Sequence, residues 1–291
     1  MSTVTTDTVV PDITAVETGD TRRHPVREAL TRGQGLAGVL LVATIAVLGI
    51  AAPLLAPFDP LEQIRGANLL GPSATHWFGT DEVNRDVFSR ALYGIRVNLV
   101  IVFVSVFTGA VIGTLVGLAS SLHPVVDAIA QRLFDVILAF PALILAIALA
   151  AVVGPGALTV GVVIVAAEIP IFGRLVRASV LEIREQPYIE AARVIGAGRW
   201  WILRTHILPN SLDTLAVQIA LSLSIAVFIE GAMSFIGIGV RAPQPSLGAI
   251  ISGSVQNLDA NPMYAFGPLL LVSGLVLGFL LIAQALGRAR R

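Results

Sequence analysis

Residues 97–120 read VNLVIVFVSVFTGAVIGTLVGLAS, twenty-four positions without a single charge. A helix that crosses the hydrocarbon core of a bilayer needs about 20 predominantly apolar residues. A helix of a water-soluble domain keeps one polar face, and this stretch has none. It therefore reads as a membrane span. Gly109, Gly113 and Gly117 recur every fourth residue along it. Small residues at that spacing let a second helix approach closely in lipid.

Five more segments fit the same template on either side: Leu36–Pro57, Ala128–Val152, Ala157–Phe172, Leu212–Ile236 and Ala265–Leu286. The fold class follows as an all-α integral membrane protein with six transmembrane helices. Pro141 should kink the third span, because proline removes a backbone donor. The fourth is the shortest and holds Glu168 and Pro170; its helix is expected to run on past Arg174 and Arg177 into water. Composition agrees. The chain is 55% hydrophobic and only 13% charged, against about 25% charged in a soluble domain.

Several chemistries are excluded by what the 291 residues lack. There is no cysteine, so no disulfide framework, thiolate zinc site or thiol nucleophile. All 19 basic residues are arginine. Without lysine the chain has neither the Walker A lysine of a P-loop ATPase nor a Schiff-base lysine. The four histidines (His24, His76, His123 and His206) stand apart, with no metal-binding spacing. Nineteen basic residues balance nineteen acidic ones, which argues against a nucleic-acid surface.

Arginine also sets the orientation, since basic residues collect on the cytoplasmic side. With the N-terminus inside, fourteen arginines fall on the inner side and five (Arg65, Arg85, Arg90, Arg96 and Arg241) on the outer. The expectation is N-in, C-in. Residues 1–35 form a mobile cytoplasmic tail with a basic collar at Arg22, Arg23, Arg27 and Arg32, and the first span is a retained anchor. Residues 36–291 form the transmembrane domain. Its long loops are 58–96 and 237–264 outside and 173–211 inside. The inner loop is charged yet carries Tyr188, Ile189, Trp200 and Trp201, so it does not read as disordered.

Within that loop, residues 186–210 read QPYIEAARVIGAGRWWILRTHILPN. Pro187 suits a first helical turn and Glu190 favours the dipole there. Ala191 and Ala192 offer a small-residue surface for another protein. Gly196 or Gly198 can end the helix at positive φ. Trp200 and Trp201 re-enter the membrane interface. The result is a short docking helix lying along the membrane.

The order Glu190-Ala191-Ala192, Gly196, Ile207-Leu208-Pro209 resembles the EAA loop of ABC importer permeases. Trp77-Phe78-Gly79-Thr80-Asp81 with Arg85-Asp86-Val87-Phe88-Ser89-Arg90 resembles the outer segment of the dipeptide/oligopeptide permeases. So does Glu230 to Gly239 followed by Pro243 and Pro245. The likeness spans most of Leu36–Phe279 and is nearest the C-type member of the permease pair. Where relatives carry glycine, this chain has Asn84; where tryptophan is common, it has Leu247.

The resemblance implies a type I ABC importer permease fold with a cytoplasmic coupling helix between helices 4 and 5. Tyr188, Glu190, Ala191, Ala192, Arg193, Gly196, Ala197, Arg199, Ile207, Leu208 and Pro209 would be the ATPase-coupling residues. Arg193 and Arg199 read equally well as solvated face residues. The implied partners are a second homologous permease, two ATPase subunits or domains, an extracytoplasmic solute-binding protein and the lipid of a bacterial inner membrane. ATP and Mg would sit on the ATPases, and no cofactor on this chain. Peptides are the implied solute, with nickel chelates, heme or glutathione as family variants.

Three carboxylates lie in or near the spans, and intramembrane acids default to a functional reading. Asp135 stands one turn from Arg132, and Glu168 is close to Arg174, which suggests pairing or snorkelling near the inner boundary. Glu230, toward the outer end of the fifth helix, either faces the path or ties down the Ser234–Gly239 turn. All three are candidates for gating or structure. A proton-coupled secondary transporter using these acids is the alternative. A membrane enzyme lacks paired catalytic groups. Arg85, Asp86 and Arg90 either pair internally or meet a binding protein. A tag fused after Arg291 is expected to be shielded from protease added outside intact cells; cleavage there would reverse the topology.

Overall fold

The computed structural model describes residues 25–289. Arg22 and Arg23 of the tail, and Arg290 and Arg291, lie outside the described residues. The expected tail over 1–35 is shorter than it reads: α1 (Pro25–Thr31) is helical, begun by a proline and carrying Glu28 in its first turn. Glu28 pairs with Arg32 at 2.6 Å. Leu30 packs on a cluster of Ala220, Ala283 and Leu286, so this segment belongs to the bundle.

Next come α2 (Gly33–Ile50) and the single turn α3 (Ala52–Leu55), then α4 (Val87–Leu122). α4 has 36 residues. At 1.5 Å per residue it is about 54 Å long, well beyond a hydrocarbon core of roughly 30 Å. Asp86 starts it by accepting from the Ser89 N–H at 2.7 Å.

The expected single kinked helix over Ala128–Val152 is instead two helices, α5 (Pro124–Leu138) and α6 (Ala142–Val153), bent by 89°. Pro141 sits at the break with extended ψ of 133°. Its ring disfavours helical geometry at Phe140 as well as removing its own donor. α5 is held to α7 (Ala157–Arg184) by one aromatic and two ion pairs. Phe134 is buried, and its ring would stand only 2.5 Å from a Cβ on Gly173. On either side, Asp127 takes Arg177 through both oxygens at 2.5 and 2.7 Å, and Asp135 takes Arg174 at 2.5 Å.

α7 (Ala157–Arg184) does run through Arg174 and Arg177 as one helix, with Pro170 inside it. α8 (Pro187–Val194) and the single turn α9 (Arg199–Ile202) follow. A π-helical turn over Leu203–Ile207 leads into α10 (Leu208–Phe235). Pro209 explains that widening: it has no N–H to offer Thr205 and its ring crowds that carbonyl. α11 (Leu247–Ser254) and α12 (Met263–Ala289) complete the chain.

Among the described residues, α2, α4, α7, the run Trp200–Phe235 and α12 are long and apolar enough to cross a membrane, and the bent α5–α6 pair passes the same test only when its two helices are taken together, as a broken span or a re-entrant loop. No strand occurs among them beyond an isolated bridge between Thr80 and Asp86.

The main core gathers side chains of α2, α4, α7, α10 and α12, and along it α4 lies against α7. A Cβ on Gly109 would meet the Glu168 Cβ at 2.5 Å. On Gly113 it would meet the Ile169 carbonyl at 2.5 Å, and on Gly117 the Gly173 carbonyl at 2.5 Å. The glycine stripe seen in the sequence thus faces α7, and these backbones touch because no side chain separates them. Gly113→Leu should push the two helices apart and cost about 1–3 kcal/mol or more. Thermal unfolding in detergent would show it as a clearly lowered midpoint, whereas Thr114→Leu, off the stripe, should not.

Candidate functional site

The loop between α7 and α10 forms a compact knob at one end of the bundle. Its floor is apolar. Ile189 and Ala192 of α8, with Ile202, Leu203 and Ile207, pack on Phe172, Val176 and Val180 of α7 and Leu215 of α10. α8 ends where the sequence allows: Gly196 has φ of 89°, and the Ala197 N–H returns to the Ala192 carbonyl at 3.0 Å.

This packing divides the candidate coupling residues. Glu190, Ala191, Arg193 and Gly196 are exposed, and so is Tyr188. The Tyr188 ring lies beside His206, which also meets Trp201 edge-on at 5.1 Å. Ala192 and Ile207 are turned into the chain's own core, and Leu208 and Ala197 are half-buried. The expectation that Ala191 and Ala192 share a docking surface is therefore corrected: on a helix adjacent residues point about 100° apart. Pro209 is exposed and starts α10; the Arg199 side chain lies outside the described residues.

The three carboxylates also resolve. Asp135 pairs with Arg174, not with Arg132. Glu168 does not pair with Arg174, because six residues along a helix turn it about 240° away. It is buried instead, and its Oε2 accepts from the Ser222 hydroxyl on α10 at 2.6 Å. Gln218 in turn donates to Ser222 at 3.2 Å. About 16 Å of helix separates Glu168 from Ala157, which places it deep in the bundle.

Glu230 is fully buried. Its Oε1 accepts from Ser234 at 2.8 Å, and its Oε2 accepts from the Asn98 amide of α4. The Ser234 hydroxyl also receives the Val240 N–H at 3.3 Å. Of the two open readings, Glu230 ties down the turn after α10. Asn98 was visible in the sequence as the amide of an otherwise apolar span; Ser222 carried no mark that set it apart from other serines.

The 58–86 segment folds on itself rather than leaving its charges free. Asp81 accepts from the Arg85 backbone and its Nε at 2.8 and 2.7 Å, and lies 3.5 Å from Arg90 Nε. Buried Arg90 donates to the Pro60 carbonyl at 2.9 Å, and His76 Nδ1 bonds Asp86 at 2.9 Å. Tyr264 of α12 donates to Glu82 at 2.6 Å. Asn84 adopts the left-handed conformation with φ of 64°, the turn that glycine makes most readily. Arg85, Asp86 and Arg90 are thus an internal network. No cluster of metal-ligating side chains occurs among the described residues.

Residues 109–291 match the model of the family described as binding-protein-dependent transport system inner membrane component. The chain is 37% identical over 252 residues to the dipeptide transport system permease protein DppC of Alkalihalophilus pseudofirmus, covering 86% of this chain and 83% of that one. It is 35% identical to the glutathione transport system permease protein GsiD of Pectobacterium atrosepticum, covering 89% and 87%. With the probable D,D-dipeptide permease DdpC of Escherichia coli it shares 39% over 73% of this chain and 72% of that one. An inward-facing structure of the MetNI methionine ABC transporter superposes with a TM-score of 0.54 at 24% identity, covering 69% of this chain and 95% of the other. The chain belongs to the binding-protein-dependent transport system inner membrane component family. It is a multi-pass inner-membrane permease with the type I ABC importer fold.

Glu230→Ala should leave the Asn98 amide and the Ser234 hydroxyl without their acceptor, at about 1–3 kcal/mol for each group. Thermal unfolding in detergent is expected to drop sharply for it and less for Glu230→Gln, which keeps a carbonyl acceptor. Equal behaviour of the two would contradict the network.

Proposed function

We propose that this chain is one of two homologous permeases that together line the path of an ATP-driven importer of short peptides. In this reading both termini and the 173–211 loop face the cytoplasm, residues 58–96 and 237–264 face outward, and the transmembrane domain spans 36–291. An extracytoplasmic binding protein delivers the solute. Two ATPase subunits or domains carry ATP and Mg, and this chain hydrolyses nothing itself. Peptides are supported by the names of the relatives, which span dipeptide, D,D-dipeptide and glutathione transport. The proton-coupled alternative loses its support, since Asp135, Glu168 and Glu230 all have partners that explain them structurally.

One observation carries the coupling role. α8 is cemented underneath by Ile189 and Ala192 while Tyr188, Glu190, Ala191 and Arg193 stand in solvent. A short helix anchored below, with Tyr188, Glu190, Ala191, Arg193 and Val194 on its free face, suits a groove on another protein. When ATP draws the two ATPases together, the two such helices would approach and rock the bundles between inward and outward states.

In the reconstituted complex, Glu190→Ala should keep membrane insertion and thermal stability yet weaken ATPase binding about tenfold, the effect of losing about 1.4 kcal/mol at the interface, and lower solute uptake per ATP with it. Ala192→Leu should instead lower stability, because it overfills the chain's own core. Unchanged uptake and ATPase stimulation in Glu190→Ala would refute the coupling role.

A further inference from the structure

The loop that receives the ATPase stroke is attached to two helices, and they are not attached to it equally. α7 passes from Arg184 through Glu185 and Gln186 directly into α8. α10 is reached only through the π-turn at Leu203–Ile207 and Pro209, where the regular ladder of backbone bonds is interrupted. α7 is also locked to α4 by the three glycines, with backbones in contact. Apolar packing already joins α7 to α10, through Phe172, Val176, Val180 and Leu215 at the loop and Ile164 and Leu223 further along, but such packing lets helices slide where a directional bond does not.

Among the described residues, a single side-chain hydrogen bond joins α7 to α10: Ser222 to Glu168 at 2.6 Å. Both residues are buried, with Glu168 3% and Ser222 0% exposed. A carboxyl group in the middle of a membrane bundle is costly, and apolar residues would fill the same space without that cost. Such a group is kept where one discrete arrangement must be specified. Glu168 suits this, because its Cβ rests against Gly109 of α4 while its carboxylate meets Ser222 of α10. On the other half of α10, the Asn98–Glu230–Ser234 bonds fasten the same helix to α4. Two fixed points, eight residues apart at Ser222 and Glu230, prevent α10 from rotating against its neighbours.

We propose that the Glu168–Ser222 hydrogen bond is a latch that makes α10 move with α4 and α7 as one lever, so that force applied at α8 reaches the transport path. The proposal rests on the coupling reading above and adds the residues that transmit it. Glu168 and Ser222 are positioning residues and need not touch solute.

The chain contains no cysteine, so a reporter pair can be introduced with no competing thiol on this chain. Leu181→Cys on α7 and Leu212→Cys on α10 are both exposed positions suited to spin labels. In the full complex in nanodiscs, with its partner permease, ATPases and binding protein, the label distance is measured without nucleotide and with ATP trapped. Uptake per ATP is read in proteoliposomes from the same preparations. The latch predicts one unchanged distance in both states for the otherwise native chain. In Ser222→Ala and Glu168→Ala it predicts state-dependent distances and a fall of about tenfold in uptake per ATP, with hydrolysis retained. The double variant should lose no more than either alone, and Glu168→Gln, which keeps an acceptor, should regain most of the efficiency. A merely stabilising contact would lower the folded yield and leave uptake per ATP of the assembled complex unchanged. That result, or a native distance that changes between states, overturns the latch alone. Absence of ATP-driven uptake in the native complex overturns the coupling reading on which it rests.

Discussion

The contact between α4 and α7 is the constraint on which the rest depends. In lipid there is no hydrophobic gain from bringing two apolar helices together, so association relies on close packing and on polar bonds between helices. Gly109, Gly113 and Gly117 supply the packing because, with no Cβ of their own, they let the α7 backbone and its Glu168, Phe172 and Val176 Cβ atoms approach α4. That seam fixes where Glu168 points, supports Phe134 through Gly173, and holds the end of α7 from which the loop springs. The polar bonds then add what packing cannot: Glu168 and Glu230 set how α10 stands against this pair, and Asp127 and Asp135 hold the broken α5 to α7.

The site illustrates how a helix can be both anchored and presented. Ile189 and Ala192 are buried while Glu190 and Ala191, their direct neighbours, are exposed. The same eight residues thereby complete this chain's core and keep a face in solvent. A small-residue motif has two physical uses there. Ala191 allows close approach from outside, and Ala192 allows close approach of α8 to α7 and α10.

Much of this was legible in the sequence. Span positions follow from the length of apolar runs, which the bilayer thickness dictates, and the glycine spacing announced a close helix partner without naming it. Gly196 and Pro187 marked the ends of α8 through backbone rules that act locally. Long-range partners were not legible. Glu168 was assigned to Arg174 because the two are near in sequence, but helix rotation sends them to different faces and the true partner is 54 residues away. Asp135 was assigned to Arg132 for the same reason, and the full break at Pro141 read as a kink because the rule for proline does not state an angle. Burial of Ala192 beside exposed Ala191 needed the loop's path back to α10, which no local pattern encodes.

The central claim is that the free face of α8 meets the ATPase. It is tested most directly by placing one cysteine at Ala191 in this cysteine-free chain, and in a separate variant one at Leu61 in the 58–86 segment, then labelling native membranes with a short reagent that attaches to the thiol at one end and is photoactivated to insert into neighbouring protein at the other. The account predicts an adduct with the ATPase from position 191 whose yield changes with ATP, and none from position 61. An ATPase adduct from position 61, or none from position 191 in an assembled and active complex, would contradict it.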